Sequence, residues 1–343
     1  MRVSADIAII GGGPVGLFCA FQAGMLGMRS IIIDAMPNIG GQCSALYPEK
    51  PIYDIPAYPK ILAGQLIENL RAQCEPFNPQ YLLNQQVKEL QSNRDGVILH
   101  TSTGAIIRAG CAIIAAGGGA IRPKRPPLDG IEELEGNDVF YAIHKAEQFK
   151  KRKVVIAGGG DSAIDWALLL ADIADHVYIV HRRDKFRAMD ASLAKLRAIA
   201  NVTNARVQII TPYQLSSLSV ANSRLTGVEI VDLDGNSRML DADALIPCFG
   251  LENDLGPIEN WGLELDDGKI IVAASSLETN KERIYAIGDT ASYPGKLKLI
   301  LTGFAEAALA CHHARQQMYP NQVWHFEYST TKGLPRMEET ENL

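Results

Sequence analysis

Two copies of one pattern, an apolar strand running through GxGxx(G/A) into an apolar helix, predict an α/β chain. The architecture expected is two Rossmann-like three-layer dinucleotide-binding domains, the second inserted into the first. Two further observations support this. Each copy is followed by a later apolar strand closing on glycine, and the C-terminal part resumes with an apolar strand and a long helix but no nucleotide motif of its own.

The first copy, "ADIAIIGGGPVGLFCAFQAGMLGMRSIIID", places Gly11, Gly13 and Gly16 around Pro14 between a strand and a helix. The first glycine permits a tight turn, the second lets backbone approach a pyrophosphate, and the third lets the helix pack on the sheet. Phosphates then meet backbone N–H groups at the positive end of the helix. Asp34 lies 18 residues past Gly16, where a carboxylate accepts hydrogen bonds from ribose hydroxyls and repels a 2′-phosphate. That suits FAD or NAD. "CAIIAAGGGA" (111–120) reads as the strand returning to this nucleotide.

The second copy, "KVVIAGGGDSAIDWALLLADIADHVYIVHRR", begins its turn 147 residues later with Gly158, Gly160, Asp161, Ser162 and Ala163. At the position matching Asp34 stands His181, followed by Arg182, Arg183 and Arg187. Guanidinium groups bind phosphate through charge-assisted, often bidentate bonds, so this end suits the 2′-phosphate of NADP. "ALIPCFGLE" (244–252) is the returning strand, and "IYAIGDTASYPGKLKLILTGFAEAALACHHA" goes back to the first domain. The expected division is 1–118 and 251–319 for the first domain, 119–250 for the second, and 320–343 for a tail.

Composition narrows the function classes. With 343 residues, 47% apolar and a net charge of −6, the chain is expected to be soluble and not a general nucleic-acid binder. Residues 7–28 carry no charge, but their glycines suit a buried strand, turn and helix better than a membrane span. The six cysteines lie at least 24 residues apart, which excludes a CxxC redox pair, a zinc knuckle and a locally bound iron–sulfur cluster. Dispersed thiols fit a reducing cytoplasm. A disulfide reductase would need a nearby cysteine pair, and the sequence offers none. The seven histidines form no metal pattern; His312 and His313 are expected to cap or flank a helix end. No GxSxG supports hydrolysis.

The strings "GGGPVGLFCAFQAG", "GGQCSALYPEKPIYDIPAYPKI", "GGGDSAIDWALLL", "HRRDKFRA" and "NWGLELDDGKIIV" resemble the thioredoxin-reductase-type ferredoxin–NADP⁺ reductases over almost the whole chain. The resemblance implies a homodimer holding FAD and NADPH/NADP⁺ and exchanging electrons with ferredoxin or flavodoxin. Hydride passes between nicotinamide and flavin N5, and single electrons between flavin and the protein partner. Where related disulfide reductases carry CxxC, this chain reads "FYAIHKAEQF".

Carried over by resemblance, Gly11, Gly13 and Gly16 serve the FAD pyrophosphate and Asp34 its ribose. Gln42 and Tyr47 approach the flavin, with Tyr47 stacked on one face. Val87 meets the adenine end through its backbone, Ile121 lies in a strand-exit segment that touches the cofactor, and Asp289 bonds the ribityl or phosphate region. In the tail, "YSTT" places Tyr328 over the second flavin face of the partner subunit, as a gate that nicotinamide displaces, and Thr330 at the ring edge.

Two basic stretches, "RPKRP" (122–126) and "KKRK" (150–153), are candidates for docking an acidic acceptor. The competing enzymatic reading is an NADPH diaphorase reducing free flavin, ferric chelates or quinones. A redox-sensing flavoprotein without steady turnover is the non-enzymatic one.

Overall fold

The computed structural model describes residues 1–120, 122–252, 254–322 and 333. It separates into two compact units: Pro123–Glu252, and a unit built from Met1–Arg122 together with the chain after Glu252. Ile121, Tyr328 and Thr330 lie outside the described residues.

In chain order the first unit begins with β1 (Arg2–Ile10), α1 (Pro14–Met25), β2 (Ser30–Ile33), the single-turn α2 (Gly41–Ala45) and α3 (Ala63–Cys74). It continues with β3 (Gln80–Leu82), β4 (Val87–Asn93), β5 (Gly96–Thr101) and β6 (Ile106–Ile114). The second unit holds β7 (Lys153–Ala157), α4 (Asp161–Leu170), β8 (His176–Val180), α5 (Asp190–Ala200) and β9 (Val207–Ile210). Three more strands, β10 (Gln214–Ala221), β11 (Arg224–Val231) and β12 (Ser237–Asp241), precede β13 (Ala244–Pro247). The chain then returns to the first unit with β14 (Ile284–Ala286) and α6 (Ile300–Met318).

The seven-stranded sheet of the first unit runs β3-β2-β1-β6-β5-β4, with β14 also pairing β6. Its centre is parallel: Ile7 faces Ser30 on one side and Cys111 on the other, and Ala112 faces Ile284. Parallel strands covered on both faces read as continuous apolar runs, not alternations. Ile7, Ala8, Ile9 and Ile31–Ile33 are accordingly buried. The helix α1 packs against both α3 and α6. A side chain at Gly303 of α6 would collide with Val15, so that glycine permits the close crossing of α1 and α6.

The second unit has a parallel sheet, β9-β8-β7-β13, and an antiparallel meander, β10-β11-β12. The meander is pinned by Asp138, which is fully buried. Its carboxylate accepts bonds from Arg152 Nη2 (2.7 Å), Arg224 Nε and Nη2 (2.8 and 2.7 Å) and the Leu225 N–H (2.9 Å). These donors, led by Arg224, hold Asp138 down at about 2.

Two readings of the sequence change here. His312 and His313 lie within α6, not at its end, and His313 Nδ1 is 3.0 Å from the Tyr285 hydroxyl. Although no cysteines are close in sequence, folding α1 against α6 brings Cys19 and Cys311 to 3.6 Å between sulfurs. Both are fully buried, so this thiol pair is inaccessible to a disulfide substrate.

Candidate functional site

In the first unit the glycine-rich turn leaves β1 at Gly11, whose φ of +111° lies in the region glycine favours. A side chain there would strike the Ala115 carbonyl at the end of β6, and one at Gly16 would strike the Gly11 carbonyl. Both glycines are therefore required by close approach. Gly13 differs: a Cβ there would meet nothing within 4 Å, so it borders open space. Beyond it, α1 starts with Pro14, carries no side-chain cap and has no acidic residue in its first turn. Its leading N–H groups form an uncapped, positive helix end suited to an anion.

Asp34 follows β2 and reaches back to this turn. Its Oδ2 accepts the Gly12 N–H at 2.6 Å and its Oδ1 the Met36 N–H at 2.8 Å, while burial raises its pKa. The Asp34 carbonyl in turn accepts the Gln85 N–H at 2.9 Å. That bond brings the segment leading to Val87, which is buried at the start of β4, alongside the carboxylate.

The Gly12 carbonyl accepts the Gly40 N–H at 2.7 Å, and Gly40 opens the turn of α2 that carries half-buried Gln42. Tyr47, also half-buried, follows α2. Its hydroxyl bonds with the Cys43 thiol, and burial raises both, the thiol to about 11. The negative field of Asp289 also raises Tyr47, and Lys50 Nζ lies 5.7 Å from the Tyr47 ring centroid. Asp289 is exposed on the single 3₁₀ turn Gly288–Thr290 after β14. The first unit thus gathers Gly11, Gly13, Pro14, Gly16, Asp34, Gln42, Tyr47, Val87 and Asp289.

The second unit repeats the arrangement. Gly158 carries φ +156°, and a Cβ there would lie 2.7 Å from the Cys248 carbonyl oxygen. Gly160 borders open space, and Ala163 is fully buried at the contact of α4 with the sheet. The stretch "HRRDKFR" folds back onto this turn: the Arg187 N–H donates to the Gly159 carbonyl at 2.7 Å, and the Met189 N–H to Asp161 Oδ1 at 2.8 Å. Arg182, Arg183 and Arg187 are exposed, as are Asp161 and Ser162. None of the three arginines is ion-paired to a carboxylate among the described residues.

His181 departs from the expected charged cluster. Only 9% exposed, it packs over Gly159 and 5.1 Å from the Phe186 ring centroid. Burial and then the neighbouring arginines lower its pKa. It shapes the loop as a neutral ring and leaves the positive charge to the guanidinium groups.

The basic stretches are partly neutralised within the second unit. Arg125 bonds Glu135 and Glu132 (2.8 and 3.1 Å), Arg152 bonds Asp138 and Asp243, and Lys153 bonds Asp241. Lys124, Lys150 and Lys151 remain exposed, Lys150 with Glu147 at 3.9 Å.

Sequence reasoning passed over Glu306, Tyr293 and Lys296. Buried Glu306 accepts the Gly288 N–H at 2.6 Å and the Tyr293 hydroxyl at 2.7 Å, and it pairs with Lys296. A lone acid inside the apolar run "LILTGFAEAALAC" was the available signal.

Fold and paired glycine-rich turns define an oxidoreductase of the two-dinucleotide class. A family model described as pyridine nucleotide-disulphide oxidoreductase matches residues 5–316. The chain is 55% identical over 337 residues to a protein named ferredoxin–NADP reductase from Rickettsia rickettsii (strain Iowa), covering 98% of each chain. It is 54% identical to one of the same name from Rickettsia conorii, with the same coverage. A thioredoxin reductase structure from Lactococcus lactis matches with a TM-score of 0.79 at 22% identity, over 92% of this chain and 99% of that one, which shows a shared fold. The chain belongs to the pyridine nucleotide-disulphide oxidoreductase family and, within it, to the ferredoxin–NADP reductases.

Proposed function

We propose that the chain transfers electrons between NADPH and ferredoxin or flavodoxin, with FAD held by the first unit and NADPH by the second. The observation that carries this is the contrast between two otherwise matching turns: a half-buried carboxylate, Asp34, beside one, and three exposed arginines without carboxylate partners among the described residues beside the other. The first selects a ribose with free hydroxyls, the second one bearing a 2′-phosphate.

The residues present fit both groups. Each turn leads into a helix without a side-chain cap, and Gly13 and Gly160 leave open space in front of it. In the first unit, Thr290 Oγ1 is buried without a hydrogen-bond partner among the described residues, the kind of unmet group that a polar cofactor satisfies. When bound, the flavin supplies hydride acceptance from NADPH and release of single electrons.

The protein's part is binding and orientation. The N-terminal turn of α1 holds the pyrophosphate, Asp34 holds the adenosine ribose, and the Val87 backbone borders the adenine. Gln42, Tyr47 and Asp289 face the flavin side. Tyr47, with its hydroxyl bonded to Cys43 and held protonated by burial, acts as a stacking surface and not as a proton source. In the second unit α4 receives the NADPH pyrophosphate, and Arg182, Arg183 and Arg187 clamp the 2′-phosphate. Ile121, Tyr328 and Thr330 complete the proposed set.

Among the described residues no helix is long and apolar enough to cross a membrane. A cytoplasmic homodimer is the setting proposed. Six cysteines outside any disulfide, five of them buried, suit the reducing compartment. For the dimer, Phe18, Phe21 and Phe304 form a half-buried aromatic cluster, while Leu301 and Leu309 of α6 are 42% and 49% exposed. Sedimentation of the FAD-loaded protein tests the dimer, and a NADPH-over-NADH preference abolished by neutralising the three arginines tests the cofactor assignment.

A further inference from the structure

We infer that Glu306 is a positioning residue for the flavin dinucleotide, holding the Gly288–Thr290 turn at a fixed height against the first turn of α1. The inference rests on the assignment of FAD to the first unit. Glu306 gathers three donors from one short connection, residues 287–299 between β14 and α6: the Gly288 N–H at 2.6 Å, the Tyr293 hydroxyl at 2.7 Å and the Lys296 ammonium. Lys296 also lies 5.4 Å from the Tyr293 ring centroid, so the three side chains brace one another.

What they brace is the candidate cofactor turn. Gly288 has φ +70° and opens the turn that exposes Asp289 and buries the Thr290 hydroxyl, which has no partner among the described residues. A Cβ on Gly288 would lie 3.5 Å from Val15, and the same valine packs against Gly303 of α6. Val15 belongs to the "GGGPVG" turn. The Asp289 turn, α6 and the proposed pyrophosphate site therefore meet at one side chain, and Glu306 fixes two of the three.

Stability alone does not account for this arrangement. The Lys296 and Glu306 side chains are only 9% and 3% exposed. Taking both charges out of water offsets most of what their attraction returns, and a well-packed apolar pair of similar size is often as stable. A carboxylate in this place does what an apolar residue cannot: it specifies the direction of a backbone N–H and two side-chain donors at once.

The test uses the full-length protein stripped of flavin and titrated with FAD by quenching of flavin fluorescence, with 2′,5′-ADP binding as the readout of the second unit. Glu306→Gln should weaken FAD about tenfold, from loss of a charge-assisted bond, and alter the visible absorption bands of the bound flavin. Tyr293→Phe, which removes one donor and leaves the core intact, should weaken FAD a few-fold, about 3-fold, on the same scale. Affinity for 2′,5′-ADP should not change in either.

The double variant Lys296→Met/Glu306→Gln separates positioning from stability. It removes the ammonium left unpaired by the single change, so thermal stability should recover while FAD affinity stays low. Wild-type FAD affinity and flavin spectrum in both Glu306→Gln and Tyr293→Phe would overturn the inference, as would full recovery of FAD affinity in the double variant. Wild-type protein that takes up no FAD would instead sink the underlying cofactor assignment.

Discussion

Replacing Arg187 with glutamine removes a guanidinium whose backbone position is fixed by the 2.7 Å bond from its N–H to the Gly159 carbonyl. The loop should therefore keep its shape, and only the charge is lost. A charge-assisted hydrogen bond contributes about 1.5–3 kcal/mol in a protected site. Arg187 is exposed, so solvent screening reduces that to roughly 1.4 kcal/mol, or about tenfold in affinity. Neutralising Arg182, Arg183 and Arg187 together should cost about a hundredfold or more, with some loss of additivity because they would share one phosphate. The assay is steady-state oxidation of NADPH and of NADH with a small artificial acceptor, alongside 2′,5′-ADP titration. KM for NADPH and the Kd for 2′,5′-ADP should rise together while kcat/KM for NADH stays within about twofold. Equal losses with both nucleotides, or no loss with either, would refute the phosphate-clamp reasoning.

Three further outcomes follow from the geometry. Gly11→Ala places a Cβ against the Ala115 carbonyl at a φ of +111°, so it should cost about 3 kcal/mol or more in thermal unfolding and abolish FAD retention. Asp138 is held at about 2 in the fold against an ordinary 3.8, so its contribution of about 2 kcal/mol should be complete above pH 4 and disappear as pH falls through 2. Acid unfolding of Asp138→Asn, less stable at neutral pH, should lack that part of the pH dependence. Charge reversal at Lys124, Lys150 and Lys151 should raise KM for ferredoxin and spare the artificial acceptor if the exposed remnant of the basic stretches docks the partner; equal effects on both acceptors would reject docking there.

What the sequence disclosed was whatever is local in the chain. Gly11, Gly16 and Gly158 stand at close backbone approaches, and strand, turn and helix follow within a few residues of each, so the repeat alone conveys the fold class. Asp34 and the arginine loop sit at a fixed number of residues from their turns, and folding brings them back to those turns. Contacts made across long stretches of chain left no such pattern. Cys19 and Cys311 meet across 292 residues. Asp138 collects Arg152 and Arg224 from segments 14 and 86 residues away, turning part of what reads as a basic patch into an ion network around one buried carboxylate. His181, polar in sequence, is buried because the loop closes over Gly159. Glu306 was visible only as an acid in an apolar helix, and its meaning depends on the connection folding around it.

The most direct test of the central claim is NADPH-driven cytochrome c reduction by the FAD-loaded protein, with and without added ferredoxin, repeated with NADH. Strong stimulation by ferredoxin together with a clear preference for NADPH is the predicted result. A rate that ignores ferredoxin yet stays high with free flavin or ferric chelates would contradict it and identify a diaphorase.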